Sequence, residues 1–284
     1  MSKLTRALTA LAASAAVVLS LSACAPQETA ETAAPEETST TLATLTEGKL
    51  TIGTGLPAYE PWVVGDAPES GEGFEAAVAY AIAAELGFAP EDVVWVRTTF
   101  DEAIAPGAKN FDFNLQQYSI TEERKAAVDF SSPYYYTAQT VITVAGSAAE
   151  GAKSLADLQG LLIGAATGTT SLKAIEDIIQ PTQGAQAFNS NDDAKAALAN
   201  GQVDAIVVDL PTAFYLTAVE LEGGLILGQL EGAKTGDSFG LVLDKDSPLT
   251  EAVSAAVDRL RENGTLAALE AQWLADYANA PVLK

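Results

Sequence analysis

Residues 114–124 read NLQQYSITEER, and this stretch joins a strand-like run to a helix-like run. The strand-like run is residues 110–113 (NFDF), and the helix-like run is residues 122–128. Where a strand gives way to a helix in an α/β protein, the carboxyl end of the strand opens into a crevice that the free N–H groups of the helix face. The polar side chains of this stretch therefore have the placement that a ligand site needs.

Thr121 and Arg124 are the residues of this stretch whose chemistry is most specific. Thr121 can cap the helix, and Glu122 and Glu123 are favourably placed in its first turn. Arg124 follows one turn in, and its planar guanidinium suits a bidentate carboxylate partner. An ion pair with a surface glutamate would explain Arg124 equally well, so this stretch alone leaves both interpretations open.

The first 23 residues have the pattern of an export signal. Lys3 and Arg6 make the start positive, and the apolar run of residues 8–21 is too short for a comfortable membrane span. The run is followed by Cys24 in the sequence LSAC, which resembles the lipobox of bacterial lipoproteins, whose cysteine is lipidated and becomes the first residue after cleavage. Cys24 is the only cysteine, so it cannot form an internal disulfide. We expect residues 1–23 to be a signal peptide and Cys24 to carry the lipid anchor, with palmitate as one of its acyl chains.

Residues 24–47 consist mainly of Thr, Ala, Glu and Pro and contain hardly any large apolar side chain. Such a segment cannot bury enough surface to fold, so we expect a disordered tether. The chain beyond Gly48 is long enough for one large or two small α/β domains.

The charge balance and the missing histidine exclude several classes of function. The chain has 15 basic and 38 acidic residues, and loss of residues 1–23 removes two basic residues and no acidic one, which leaves a formal net charge of −25. Nucleic acid and anionic lipid would be repelled by this charge. Without histidine, Ser-His-Asp and Cys-His catalysis and histidine-bearing metal sites are excluded. We expect no metal ion, no cofactor and no nucleic-acid partner.

A β-α-β-α-β order precedes and includes the opening stretch. Its strand-like and helix-like runs are residues 49–54, 74–86, 93–96, 101–105 and 111–113. An open, mostly parallel sheet is the economical arrangement of this order. Tyr59 and Phe100 lie in the loops after the first two strands. Each is either a core residue or an aromatic surface for a ligand, and both readings remain open.

The pattern restarts in the second half of the chain. Residues 168–171 (GTTS) open a helix, but the Walker spacing is not met and no lysine follows the second glycine. Hydroxyls and free amides at a helix start suit any anion, including a carboxylate, and they equally suit ordinary N-capping by Thr169 or Thr170. Asp209 ends a strand predicted at residues 203–208, where an acid is either a helix N-cap or the partner of a ligand ammonium group.

From about residue 49 to residue 277 the chain resembles the family-3 solute-binding proteins, the extracellular amino-acid-binding proteins of ABC importers. The motifs that carry the resemblance are SITEER at 119–124, VDFSSPYY at 128–135, GTT at 168–170 and VDAIVVD at 203–209. The resemblance implies an α/β, two-lobed periplasmic-binding-protein fold of type II, which closes on an amino acid in the interlobe cleft.

The resemblance also implies how the chain is divided. The first lobe would comprise residues 48–140 and 242–284, including the last two helices, and the second lobe residues 141–241. The hinge strands would lie near residues 140–145 and 236–242.

Four residues would bind the charged ends of the ligand if the family roles apply. Arg124 matches the arginine that grips the α-carboxylate. Thr169 and Thr170 match the hydroxyl and amide donors to the same group. Asp209 matches the acid that binds the α-ammonium group. A zwitterion fits these charges.

Four further residues would complete the ligand contacts. Ser119 and the position of Gln117 would assist in binding the ammonium group, and Tyr59 and Phe100 would sandwich the ligand side chain. The loop at residues 55–58 lacks the acid that many binders of basic amino acids have there, and no second arginine is evident for an acidic ligand. We therefore expect a polar amino acid as ligand, with basic amino acids as the alternative.

The resemblance predicts a monomeric, lipid-anchored receptor outside the cell membrane that delivers its amino acid to an ABC permease and its ATPase subunits. An amino-acid sensor module is one alternative. A dehydratase-like enzyme is another, because a few members of this fold family act on amino-acid-like acids. Glu60, Glu75 and Asp101 could be suggested as general acids, but no recognisable catalytic constellation joins them. We expect no catalytic residue.

Overall fold

The structure is a computed structural model that describes residues 42–230, 237–275 and 280–284. Within these residues the strands are β1 (Leu50–Gly55), β2 (Val93–Thr98), β3 (Phe113–Asn114), β4 (Asp129–Phe130), β5 (Tyr135–Thr137), β6 (Gln139–Val144), β7 (Ile163–Ala166), β8 (Gln186–Phe188), β9 (Ala205–Asp209), β10 (Gly224–Leu230), β11 (Asp237–Phe239), β12 (Val242–Leu243) and β13 (Val282–Leu283). The α-helices are α1 (Phe74–Glu85), α2 (Phe100–Ile104), α3 (Glu122–Lys125), α4 (Leu155–Leu158), α5 (Thr170–Ala174), α6 (Asn191–Ala199), α7 (Leu210–Tyr215), α8 (Thr250–Glu262) and α9 (Thr265–Trp273). Short 3-10 turns cover Val64–Asp66, Pro68–Ser70 and Pro90–Asp92, and π-helical turns at Ile175–Ile179 and Leu216–Glu220 extend α5 and α7.

The first lobe is built on a five-stranded sheet in the order β2-β1-β3-β12-β4. All six residues of β1 are buried, as is usual for a strand whose sheet is covered on both faces. β1 runs parallel to β2 and to β3, so the carboxyl ends of these three strands meet at one edge. Helices α1, α8 and α9 pack against one another and share an apolar cluster with β1 around the buried Trp62 and Phe74.

The second lobe is built on a six-stranded sheet in the order β13-β10-β6-β9-β7-β8. β7 runs parallel to β8 and to β9, and β6 is antiparallel to both of its neighbours, β9 and β10. Two apolar clusters cover this sheet, one around Ile163 and Ile175 and the other around Ile206 and Leu198. The mixed α/β architecture expected from the sequence is therefore present in both lobes.

The connection between the lobes differs from the expected hinge strands. Residues 140–144 belong to β6, which lies inside the six-stranded sheet. Their run TVITV is apolar or β-branched on both faces, so it pairs on both edges and its first four residues are buried. A two-stranded antiparallel ribbon of β5 and β11 stands instead where the chain passes between the two larger sheets.

The second expected hinge segment, residues 236–242, is divided in the structure. β11 belongs to the ribbon and β12 to the sheet of the first lobe, while residue 236 lies outside the described residues. Gly240 and Leu241 separate these two strands. A Cβ on Gly240 would lie 2.8 Å from the terminal carbon of the Ile120 side chain, so a larger residue here would force that side chain to move.

The sequence comparison implied that residues 242–284 all belong to the first lobe. In the structure the last of these residues belong to the second lobe. α8 and α9 do pack against α1 in the first lobe, but β13 pairs in parallel with β10 of the second lobe. Leu283 is buried in an apolar cluster of that lobe, and the N–H of Gln229 donates to the carbonyl of Pro281 at 2.7 Å. Burial of Leu283 and this pairing fix the last residues to the second sheet.

The expected tether is ordered at its carboxyl end. Its residues 42–47 lie on the first lobe, where Leu42 packs against the core. The buried carboxylate of Asp112 accepts from the backbone N–H of Leu45 at 2.8 Å and of Thr51 at 2.6 Å, which ties this segment to β1. The predicted signal peptide, Cys24 and the rest of the tether lie outside the described residues. No helix of the described part of the chain is long and apolar enough to cross a membrane.

Candidate functional site

A cleft of about 170 Å³ is lined by loops that follow the carboxyl ends of β1, β2 and β3 in the first lobe and of β7, β8 and β9 in the second. Strand carboxyl ends are the usual place for ligands in open α/β sheets. The structure brings together in this one cleft all eight residues expected to bind the ligand, namely Tyr59, Phe100, Gln117, Ser119, Arg124, Thr169, Thr170 and Asp209.

The side chain of Arg124 is fixed in the cleft by two backbone carbonyl groups and one aromatic ring. Its Nη1 donates to the carbonyl of Ser119 at 2.6 Å, and its Nη2 donates to the carbonyl of Gly168, in the other lobe, at 2.8 Å. The guanidinium carbon lies 5.3 Å from the ring centroid of Phe100, within reach of a cation–π interaction. Three of its five N–H groups are left for a ligand.

The alternative reading of Arg124 as a surface ion-pair partner does not fit its position. Arg124 is only 9% exposed, and no carboxylate of the described residues forms an ion pair with it. Its neighbour Lys125 makes the surface pair instead, with Glu122 at 2.8 Å. Burial lowers the pKa of the Arg124 guanidinium, and the nearby Tyr118, Asp237 and Asp209 oppose this shift. A ligand carboxylate would compensate the partly desolvated cation.

Asp209 ends β9 on the opposite side of the cleft. It stands at the N-cap position of α7, but its side chain makes no capping hydrogen bond, so the capping interpretation does not account for the carboxylate. One of its oxygens accepts from Nε2 of Gln139 at 2.9 Å. Burial, followed by the charge of Asp237, holds the pKa of Asp209 well above its ordinary value. A ligand ammonium group would offset both effects.

Asp237 and Gln139 do not line the cleft but hydrogen-bond to residues that do, and the sequence did not single them out. One carboxylate oxygen of Asp237 accepts from Nε2 of Gln139 at 2.7 Å, from the hydroxyl of Ser119 at 3.1 Å and from the hydroxyl of Thr170. Ser119 and Thr170 come from different lobes, and their hydroxyl oxygens are 3.1 Å apart. Both hydroxyl protons are therefore engaged inside this network. The Ser119 oxygen is left as an acceptor, which suits an ammonium group.

The two threonines at the start of α5 differ in what they can offer a ligand. The Thr169 hydroxyl donates to the carbonyl of Ala166 at 2.6 Å and accepts from the N–H of Leu172 at 3.2 Å, so it caps the helix. The Thr170 hydroxyl is engaged with Asp237. The backbone N–H groups of Thr169 and Thr170 have no partner among the described residues. These amides, and not the hydroxyls, are the donors that remain for an anion.

The aromatic residues Tyr59 and Phe100 line the cleft from the first lobe. The ring centroid of Phe100 lies 4.7 Å from that of Tyr118, which supports it from behind. The hydroxyl of Tyr59 donates to the carboxylate of Asp192, in the second lobe, at 2.9 Å. Both rings are therefore fixed on the cleft wall.

Further polar side chains complete the lining. Gln116, from the stretch 114–124, lies in the loop after β3. The sequence did not single out Asn189 and Ser190, in the loop after β8, or Asn191, the first residue of α6. β8 is a short run, QAF, which has too little pattern to mark it as a strand. The residues that follow it were therefore not recognised as part of a strand-end loop.

The three carboxylates considered as general acids are not brought together. Asp101 lines the cleft, Glu75 is buried outside the lining, and Glu60 lies at a smaller neighbouring pocket. The part of the chain that the structure describes contains no group of three or more His, Cys, Asp or Glu residues that could hold a metal ion.

Residues 50–276 match the family model of the bacterial extracellular solute-binding proteins, family 3. The chain is 31% identical to the L-arginine-binding protein of Pseudomonas aeruginosa over 215 residues, which cover 73% of this chain and 81% of that protein.

Two solved structures have the same fold at 30% identity. An ancestral arginine-binding protein bound to arginine superposes with a TM-score of 0.67, covering 80% of this chain and 99% of the other. An ancestral amino acid-binding protein that is a precursor of cyclohexadienyl dehydratase gives a TM-score of 0.66, covering 80% of this chain and 95% of the other.

Proposed function

We propose that this chain, which belongs to the bacterial extracellular solute-binding proteins of family 3, captures an amino acid outside the cell membrane and delivers it to an ABC permease and its ATPase subunits. The observation that carries the proposal is the pairing of opposite charges across one cleft. Arg124 projects from the first lobe and Asp209 from the second, and both line the cleft. A zwitterionic α-carboxylate and α-ammonium pair is the ligand chemistry that satisfies both.

The remaining lining favours a ligand with a polar side chain. Amide and hydroxyl groups outnumber apolar groups around the cleft, among them Gln116, Asn189 and Asn191. A basic side chain is the second candidate. Asp101 supplies a carboxylate to the lining, and the relatives named above include proteins named for binding arginine.

A thermal-shift screen against the common L-amino acids tests this function. A ligand that binds only the folded state raises stability by about 2.7 kcal/mol at 100 times its Kd, so the amino acid that fits should stand out clearly. Its α-hydroxy acid analogue, which lacks the ammonium group, is the matched control and should give a much smaller shift. If no amino acid raises the unfolding temperature, the proposed function is wrong.

We further propose that the chain binds its ligand without converting it and acts as a monomer. The support for binding without turnover is that, of the three acids Glu60, Glu75 and Asp101, only Asp101 lines the cleft, so these three do not form a general acid and base pair there. Ligand recovered from the screen after long incubation should be chemically unchanged. Appearance of a dehydrated product would instead support the dehydratase alternative.

We propose that Cys24 anchors the protein to the outer face of the membrane. The support is the sequence alone, because a lipobox-like LSAC ends the apolar run. Cys24→Ser should abolish lipidation, so that the protein is extracted from membranes without detergent, since one or more acyl chains provide the binding energy. If the variant stays as firmly bound as the parent, the anchor lies elsewhere.

A further inference from the structure

Glu75 is a buried acid that the ligand site does not use directly. It lies in the first turn of α1, and only 1% of its surface is exposed. Its carboxylate accepts from the backbone N–H of Gln117 at 2.8 Å, from the side-chain amide of Gln117 and from the hydroxyl of Tyr134. All three of its neighbouring groups therefore donate, which is the arrangement an ionised carboxylate requires.

Gln117 is the residue through which Glu75 reaches the cleft. It lines the cleft, and its φ of +53° lies in the left-handed region that residues other than glycine seldom adopt. Such a conformation costs energy and persists only where the surroundings enforce it. Glu75 binds both the main-chain and the side-chain nitrogen of Gln117 and so supplies that constraint. The carbonyl of Gln117 accepts no hydrogen bond from the described residues and is free to accept one from a ligand.

We propose that Glu75 is a positioning residue of the ligand site, which holds Gln117 in its left-handed conformation and makes ligand affinity depend on whether its own carboxyl group is ionised. The inference rests on the proposed amino-acid binding. It concerns a contact within the first lobe, because Glu75, Gln117 and Tyr134 all belong to that lobe. The contact therefore does not depend on closure of the cleft.

The charged and titratable groups around Glu75 explain when it ionises. Burial raises its pKa to about 7, while the hydrogen bonds from Tyr134 and Gln117 act in the opposite direction. Tyr118 and Tyr134 face it from the first lobe, and the charge of Asp209 reaches it from the second. The chain has no histidine, so the usual source of a titration near neutral pH is missing.

Protonation of Glu75 would weaken the two hydrogen bonds that fix the conformation of Gln117. A protonated carboxyl group gains an O–H donor, which the Tyr134 hydroxyl can accept by rotating its own proton. The two nitrogens of Gln117 then donate to a neutral carboxyl group, and these contacts are weaker than those to a carboxylate. Ionisation restores their full strength. We therefore expect ligand affinity to rise by up to about tenfold per pH unit below pH 7 and to level off above it, the limit for one linked proton.

The fold should respond to pH in the opposite direction. The pKa of Glu75 is raised in the folded state, so its contribution to stability is complete below its ordinary pKa and is lost as pH rises through about 7. A residue with a purely structural role would make affinity and stability change together. Opposite trends are the signature of a positioning role.

The test compares the pH profile of affinity, measured by calorimetry from pH 5.5 to 8.5, in the parent and in Glu75→Gln. The substituted amide is neutral at every pH, so the variant should lose the part of the rise that Glu75 contributes and keep only the dependence that the raised pKa of Asp209 gives the parent as well. Its affinity should be about fivefold to tenfold weaker than that of the parent at pH 8. Asp112→Asn is the matched control. Asp112 is also a buried acid that accepts two backbone N–H groups, but it does not line the cleft. This control variant should keep the parental profile.

Tyr134→Phe provides a second readout should Glu75→Gln fail to fold. It removes one donor that stabilises the ionised carboxylate, so the midpoint of the affinity profile should move to higher pH. If the parent binds its amino acid with a flat profile through pH 7, or if Glu75→Gln or Tyr134→Phe leaves the parental profile unchanged, Glu75 has no positioning role. If no amino acid binds at any pH, the proposed function itself fails.

Discussion

Replacement of Arg124 by lysine should weaken amino-acid binding by about 1.5–3 kcal/mol, the scale of a hydrogen bond to a charged group. The charge is kept, but the planar fork is lost. Arg124 already uses Nη1 and Nη2 on the carbonyls of Ser119 and Gly168 and still has three N–H groups for a ligand. The three ammonium donors of a lysine cannot satisfy both carbonyls and also bind a carboxylate at two points. Stacking on Phe100 would weaken as well.

Calorimetry at constant pH measures this loss, and Arg259→Lys is the matched control. Arg259→Lys is also an arginine-to-lysine replacement, but it lies on the surface of the first lobe, away from the cleft. There the Nε of Arg259, in α8, donates to Glu85, in α1, at 2.7 Å. The control should bind like the parent. An Arg124→Lys variant with parental affinity would mean that no ligand carboxylate is bound at this arginine.

The gathering of eight candidate residues in one cleft was predictable because the signals are local. Thr121 with Arg124, Thr169 with Thr170, and Asp209 each stand where a strand gives way to a helix. A sheet of parallel strands places all such junctions at the same edge, so short patterns suffice to locate the cleft. Their contacts with a ligand remain predictions.

The hydrogen-bond network behind the cleft was not predictable in the same way. Asp237 and Gln139 are 98 positions apart, and their contact depends on how the ribbon lies against the sheet of the second lobe. Gln139 is the buried first residue of a β-rich run, and a polar residue is common at the end of a strand. No short-range pattern marks either residue.

The sequence does not decide which residues connect the two lobes, for a related reason. A run such as TVITV at residues 140–144 has the same composition in a hinge strand and in the interior of a sheet. Only its pairing with β9 on one edge and β10 on the other decides between them. Pairing over such distances along the chain is a property of the whole fold.

Replacement of Asp209 by asparagine should have the largest effect on binding, a loss of about 2–5 kcal/mol, the range for removing one partner of a desolvated charge pair. The asparagine side chain has the same shape as the aspartate, and Gln139 keeps its hydrogen bond to Asp237. The fold should not suffer. Burial and the charge of Asp237 raise the pKa of Asp209, so ionised Asp209 costs stability at neutral pH, and the neutral variant should unfold no more easily than the parent. Weaker binding with equal or greater stability is the mark of a residue kept for function.

Asp209→Asn also tests whether the ligand draws the two lobes together. Arg124 and Asp209 stand on different lobes, so one zwitterion that binds both makes its full contacts only when the cleft is closed. A ligand shifts such an equilibrium by its differential affinity for the closed form, and the variant lacks part of that difference. Small-angle scattering should show the parent becoming more compact as amino acid is added. The variant should need at least about thirtyfold more ligand for the same change, the factor that corresponds to 2 kcal/mol.

Asp193→Asn is the control for this experiment, because Asp193 is an exposed acid on α6 of the same lobe. It removes one negative charge from the second lobe without touching the cleft, so both its affinity and its compaction should match those of the parent. Equal weakening in both variants would assign the effect to the general negative charge of the protein. If the parent keeps its dimensions at saturating ligand, or Asp209→Asn binds as the parent does, no ligand bridges Arg124 and Asp209, and the cleft recognises its amino acid from one lobe alone.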